Sequence, residues 1–186
     1  KLGKICLTCH VEAGADGETK RPTFAIEAYT GGPMRVSGSY YPVVLDLKGL
    51  RAGRVTVLRD HDSTQIIGQG SADISESGVL VSGTITADYE NPSDPAHSVI
   101  AHSKNGFVWG ASVGVLVDRF EFVREGRSKT VNGRRVAGPV SIVRAGRLGE
   151  VSFVGVGADE NAHATVAASA ASTNVKGSRI MNEFKE

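Results

Sequence analysis

The chain has 186 residues, a hydrophobic content of 40% and a net charge of +1, values that suit one well-buried core in a globular protein. So even a balance lacks the basic excess of a nucleic-acid binder and the acidic excess of a solvated tail. No apolar run reaches the length of a membrane span, and residues 1–10 lack the sustained apolar stretch of a secretory signal. With 23 glycines and only 6% aromatic residues, short strands and turns are expected to outnumber long helices.

In chain order, Cys6, Cys9 and His10 come first and spell C-x-x-C-H. Two cysteines cannot complete a tetrahedral zinc site, and no second C-x-x-C or H-x-x-x-H follows. Residues 4–11 read as a strand with structural thiols in a reducing compartment, and no cofactor is expected. Strands follow at residues 23–29, 40–46, 55–58, 66–70 and 79–86, cut by turn clusters at 30–33 and 75–78. Asp94 with Pro95 opens a short helix that continues to Lys104 and stops at Asn105-Gly106. Strand alternation returns over 109–123, residues 126–133 read as a charged hairpin tip, and 136–143 leads back. The turn Gly146-Arg147-Leu148-Gly149 is expected to precede a last strand at 150–155. Residues 1–157 form the folded domain, α+β in class and rich in β. Residues 158–186 read as an Ala/Ser-rich linker toward a truncated C-terminal region, so the chain is expected to be a piece of a longer polypeptide.

The chemistry-bearing segment is Gly110-Ala111-Ser112-Val113-Gly114. A serine attacks only when a base takes its proton, and the base needs a third group to fix its tautomer. Flanking glycines are expected to let the backbone turn tightly, leaving amide N–H groups such as that of Val113 free for a developing oxyanion. His61, at a strand end, is the expected base, and Glu150, opening the last strand, the expected acid. The nucleophile elbow of α/β-hydrolases does not fit, because strand alternation rather than a helix follows Ser112 and the histidine precedes it. The one histidine after Ser112, His163, stands at the edge of the Ala-rich linker. His97 and His102 are weaker candidates for the base, and Asp62 and Asp118 for the acid.

The series Leu58-Arg59-Asp60-His61-Asp62, Ile67-Gly68, residues 78–83, Gly110-Ala111-Ser112-Val113-Gly114 and residues 148–154 resembles the tailed-phage prohead (capsid-maturation) protease family over roughly residues 42–158. The resemblance implies a herpesvirus-protease-like β-barrel flanked by short helices, with His61 as base, Ser112 as nucleophile and Glu150 as acid. It also implies paired arginines near the oxyanion, for which Arg144 and Arg147 are the candidates here. The implied activity is a serine endopeptidase that processes scaffold and capsid precursors, and itself, inside the immature phage capsid in a bacterial cytoplasm. A homo-oligomer is expected, with no nucleic-acid or membrane partner. Residues 25–36 also resemble versions in which the protease is fused to scaffold and major capsid protein. A non-catalytic capsid or scaffold module of the same fold is the main alternative, and an esterase the lesser one.

Overall fold

Period-two burial governs most of the chain, and eight of the strands it builds join one curled sheet, the other four pairing in two separate two-stranded sheets. The computed structural model describes residues 3–8, 11–12, 21–36, 38–156 and 166–167. In order these form β1 (Gly3–Thr8), β2 (Val11–Glu12), β3 (Thr23–Tyr29), β4 (Val43–Leu45), a 3-10 turn (Leu47–Gly49), β5 (Leu50–Arg59), β6 (Asp62–Ile74) and β7 (Val79–Ile85). Helix α1 (Pro95–Lys104) follows, then β8 (Gly110–Val123), β9 (Ser128–Val131), β10 (Arg134–Ala137), β11 (Val140–Val154) and β12 (Val166–Ala167). The expected α+β, β-rich class is what the chain adopts.

The main sheet runs β1-β8-β11-β5-β6-β7-β3, with β4 added beside β11. Neighbours are antiparallel except β11, which pairs in parallel with β5 and β4. The sheet curls into a half-barrel, so Phe24 on β3 meets Phe153 on β11 edge to face at 6.3 Å. One face of each long strand supplies the core: Val55 and Val57, Val79 and Val81, Ala111, Val113 and Val115, Val151 and Phe153. Burying such side chains contributes roughly 1.5–3 kcal/mol each. Helix α1 adds Ala96, Val99 and Ile100 to the same core. Its Asp94 cap accepts from Ala96 N at 2.8 Å, as the Asp-Pro pair leads one to expect.

Three expectations change. The turn assigned to residues 146–149 does not exist: β11 runs unbroken through it, carrying a bulge instead. Its glycines mark that irregularity rather than a chain reversal. The hairpin tip assigned to 126–133 resolves into a turn at Gly126, strand β9, and the two-residue turn Asn132-Gly133, with φ of 52° and 73°. Within the stretch read as a flexible linker, Val166–Ala167 pairs in parallel with Val11–Glu12. The rest of residues 158–186 lies outside the described residues, as do Cys9, His10 and His163.

Asn132 does more than turn the chain. Its Oδ1 accepts from Leu47 N at 2.9 Å, and its Nδ2 donates to Gly31 O at 3.0 Å and Leu45 O at 2.7 Å. The β9–β10 hairpin is thereby tied to the loop after β3 and to the end of β4. Asn132→Gly keeps the left-handed turn but loses these bonds, and should cost about 2–3 kcal/mol in urea denaturation. Asn132→Ala should cost roughly 1 kcal/mol more, because alanine resists positive φ.

Candidate active site

β8 is extended through the whole Gly-Ala-Ser-Val-Gly segment, so Ser112 sits as the third residue of the strand and not on a tight turn. Ala111, Val113 and Val115 point into the core. Ser112 and Gly114 therefore occupy the opposite face of the sheet. Across the ladder Ser112 pairs with Ser152, and Gly114 with Glu150. Directly opposed residues of an antiparallel pair share a face. Ser112 and Glu150 thus arrive on one side of two neighbouring strands.

That meeting depends on the bulge. Leu148 pairs with Val115 and is buried in the core, whereas Glu150 pairs with Gly114 on the outer face. In a regular strand, residues two apart share a face. Gly149, the additional residue in β11 opposite β8, shifts the phase by one and turns Glu150 out of the core, as bulges do.

His61 comes from the tight connection between β5 and β6. Arg59 pairs with Asp62, leaving Asp60-His61 as a two-residue turn with φ of 51° and 59°. Both left-handed values are the signature of a type I′ hairpin, which usually takes Asn-Gly. Non-glycine residues there cost about 1–2 kcal/mol each. The turn is strapped to β11, because Asp60 N donates to Phe153 O at 3.0 Å and His61 N to Ser152 Oγ at 3.1 Å.

The side chains complete a chain of contacts. Ser112 Oγ is hydrogen-bonded to His61 Nε2, and His61 Nδ1 lies 2.7 Å from Glu150 Oε1. With the imidazole proton on Nδ1, that nitrogen donates to the carboxylate and Nε2 accepts from the serine hydroxyl. This is the protonation a general base requires. Glu150 Oε2 accepts from Ser152 Oγ at 2.7 Å. Ser112 exposes 0% of its surface, and the side chains of His61 and Glu150 expose 11% and 19%. Little water competes for these contacts, which strengthens each of them.

The second glycine of the motif has a steric purpose. A Cβ on Gly114 would lie 2.8 Å from both Cγ and Cδ of Glu150. The carboxylate side chain occupies the space that any larger residue would fill. Gly114 thus makes room on a strand rather than shaping a turn.

Other expected participants lie elsewhere. Val113 belongs to a strand paired on both sides, with Ile5 and with Val151, so its amide is directed into the sheet and not at a substrate. Arg144 sits about 20 Å along β11 from Glu150, at ~3.3 Å per residue. There it bonds Asp46 Oδ2 and Glu121 Oε2, each at 2.8 Å. The Asp46 hydrogen bond holds its guanidinium above the usual range, and the Arg144 hydrogen bond, then Lys129, hold the Glu121 carboxyl below its own. A lowered carboxyl stabilises the fold above the ordinary carboxylate range, and that contribution fades as pH falls through the lowered value. Arg147 is exposed on the outer face opposite Leu116, about 13 Å along β8 from Ser112. Asp62 binds Thr64 N and Gln65 Nε2, Asp118 pairs with Arg51, His97 Nδ1 contacts Tyr89 O, and His102 stacks near Phe107 and Trp109. Asp118, His97 and His102 make these contacts away from the Ser112–His61–Glu150 chain.

Ser152 is the participant that sequence reasoning passed over. Its signals are its place in the 148–154 segment that carries the resemblance and its spacing of two residues from Glu150, on the same strand face. A cavity of about 690 Å³ opens elsewhere, lined by Glu27, Tyr29, Asp73 and Arg134. It includes none of the residues of the serine site.

Two neighbouring glycines should respond differently to a methyl group. Gly114→Ala should displace Glu150, lower any Ser112-dependent reactivity on the order of 100-fold, and lower the melting temperature, since overpacking of this kind costs about 1–3 kcal/mol. Gly149→Ala should be tolerated in both respects, since its Cβ would meet only Gly114 O at 3.6 Å. Arg144→Met should lower the melting temperature near neutral pH, and by less in acid, without changing Ser112 reactivity per folded molecule. Comparison of the chain with protein-family models, curated proteins and solved structures gives no match, so the chemistry of the site rests on its own geometry.

Proposed function

We propose that this chain is a serine endopeptidase of the prohead-maturation kind. One observation carries the reading: Ser112, His61 and Glu150 form a continuous hydrogen-bonded chain, with the imidazole between hydroxyl and carboxylate. In this reading Ser112 Oγ attacks a peptide carbonyl carbon while His61 Nε2 takes its proton. The imidazolium formed is stabilised by Glu150, and its proton passes to the leaving amine as the C–N bond breaks. Water, deprotonated by the same imidazole, then hydrolyses the acyl-enzyme and restores Ser112.

The substrate class comes from the sequence resemblance: scaffold and capsid precursors, and the chain itself, processed within an immature shell. The curled, β-rich sheet with one described helix is consistent with the herpesvirus-protease-like barrel that the resemblance implies. A homo-oligomer, a bacterial cytoplasmic setting and independence from cofactors belong to the same proposal. Among the described residues no helix is long and apolar enough to cross a membrane.

Ser112 exposes none of its surface, so a substrate carbonyl reaches Oγ only after its cover moves aside. The same burial favours a second reading, a capsid or scaffold module that keeps the fold without cleaving. Incubation with a fluorophosphonate and with capsid precursor separates the two. The protease reading expects a covalent adduct on Ser112 and processed precursor. Both should be lost in Ser112→Ala, with activity falling on the order of 10⁴-fold or more and the melting curve unchanged. Equal processing by Ser112→Ala would overturn the assignment, and a folded chain that neither labels nor cleaves would favour the module.

A further inference from the structure

We infer that Ser152 is a positioning residue of this site, one hydroxyl that holds acid and base together. The inference rests on the serine-hydrolase reading above and extends it to a fourth side chain. Ser152 Oγ accepts from His61 N at 3.1 Å and donates to Glu150 Oε2 at 2.7 Å. Glu150 Oε1 in turn lies 2.7 Å from His61 Nδ1. These three contacts close a ring from the backbone of His61, through Ser152 and the carboxylate, to the ring of His61.

Each contact has its own task. The bond to His61 N anchors a residue whose backbone is left-handed at φ 59°, at the position from which the imidazole projects. The bond to Oε2 stops the carboxylate from rotating about its own axis, so Oε1 stays aimed at Nδ1. Ser152 itself has no freedom to wander. It is fully buried, lies within β11 two residues before its end, and pairs with Ser112 on one side and Leu58 on the other. The hydroxyl that places the base is therefore fixed in register with the nucleophile.

A serine in this position is chemically apt because it both donates and accepts. An alanine would leave His61 N and Glu150 Oε2 without this partner. A carboxylate free to swing and a turn free to relax would each lengthen the Nδ1 contact. Misplacement of a proton-transferring group by about 1 Å is enough to cost on the order of 100-fold in rate. The hydrogen bonds of Ser152 Oγ run to His61 N and Glu150 Oε2 and not to Ser112 Oγ, so its effect passes through His61.

The test uses the full chain with Ser152→Ala and Ser152→Thr, the latter retaining the hydroxyl. Fluorophosphonate labelling of Ser112, followed against pH, should slow about 10- to 100-fold in Ser152→Ala. The acid limb of its profile should move to lower pH, because an imidazolium that loses a well-held carboxylate gives up its proton more readily. Ser152→Thr should restore most of the rate. A second measurement needs no activity. Proton NMR of the Ser112→Ala chain should show a far-downfield His61 Nδ1–H signal bonded to Glu150, and adding Ser152→Ala should broaden or remove it. Retention of that signal, or an unshifted acid limb with a wild-type rate, overturns the inference while leaving the protease reading intact. If the wild-type chain fails to label at all, the protease reading falls instead, and the NMR signal alone judges Ser152.

Discussion

The phase shift at Gly149 is the constraint on which the site depends. Leu148 belongs to the core and Glu150 to the outer face, although regular strand geometry would place both on the same side. Without the additional residue, a carboxylate would point into an apolar interior, where an unpaired charge is expensive. With it, the same strand fills the core through Val151 and Phe153 and presents Glu150 and Ser152 beside Ser112. A local defect in pairing thus converts a structural strand into one with two roles.

Around that defect the other parts fall into place by mutual support. The Asp60-His61 turn takes left-handed values usually given to glycine, and two backbone donors hold it against β11. Gly114 contributes by having no side chain, and Ser152 by having a small polar one. The smallest residues of the site set its tolerances, while Glu150 supplies its charge and His61 its accepting ring nitrogen. Strain in the turn is offset by contacts that also aim the imidazole, so stability and geometry are drawn from the same bonds.

Much of this was legible in the sequence, for identifiable reasons. The helix at Pro95–Lys104 announced itself through an Asp-Pro cap and an Asn-Gly stop, both local signals. Strand β3 matched its alternation at both ends. His61, Ser112 and Glu150 were named from motif order. The spurious turn at 146–149 shows where local reading gives out: two glycines in four residues look like a reversal, and only the partners on either side reveal a bulge. The glycines around Ser112 misled in the same way, since the space Gly114 leaves is defined by a residue 36 positions later in the chain. Arg144 was invisible as a structural residue because Asp46 and Glu121, its partners, are distant in sequence.

The parallel pairing of β5 with β11 has a consequence in time as well as in space. His61 and Glu150 are separated by 89 residues and Ser112 and His61 by 51, so no short stretch of nascent chain contains a working pair. Long-range parallel pairing is among the slower steps of folding, since its loop must close before any contact rewards it. Until β11 has been synthesised and docked, the contacts among Ser112, His61 and Glu150 on which the proposed reading rests do not exist. The site is therefore a product of the finished sheet and of no single stretch of chain.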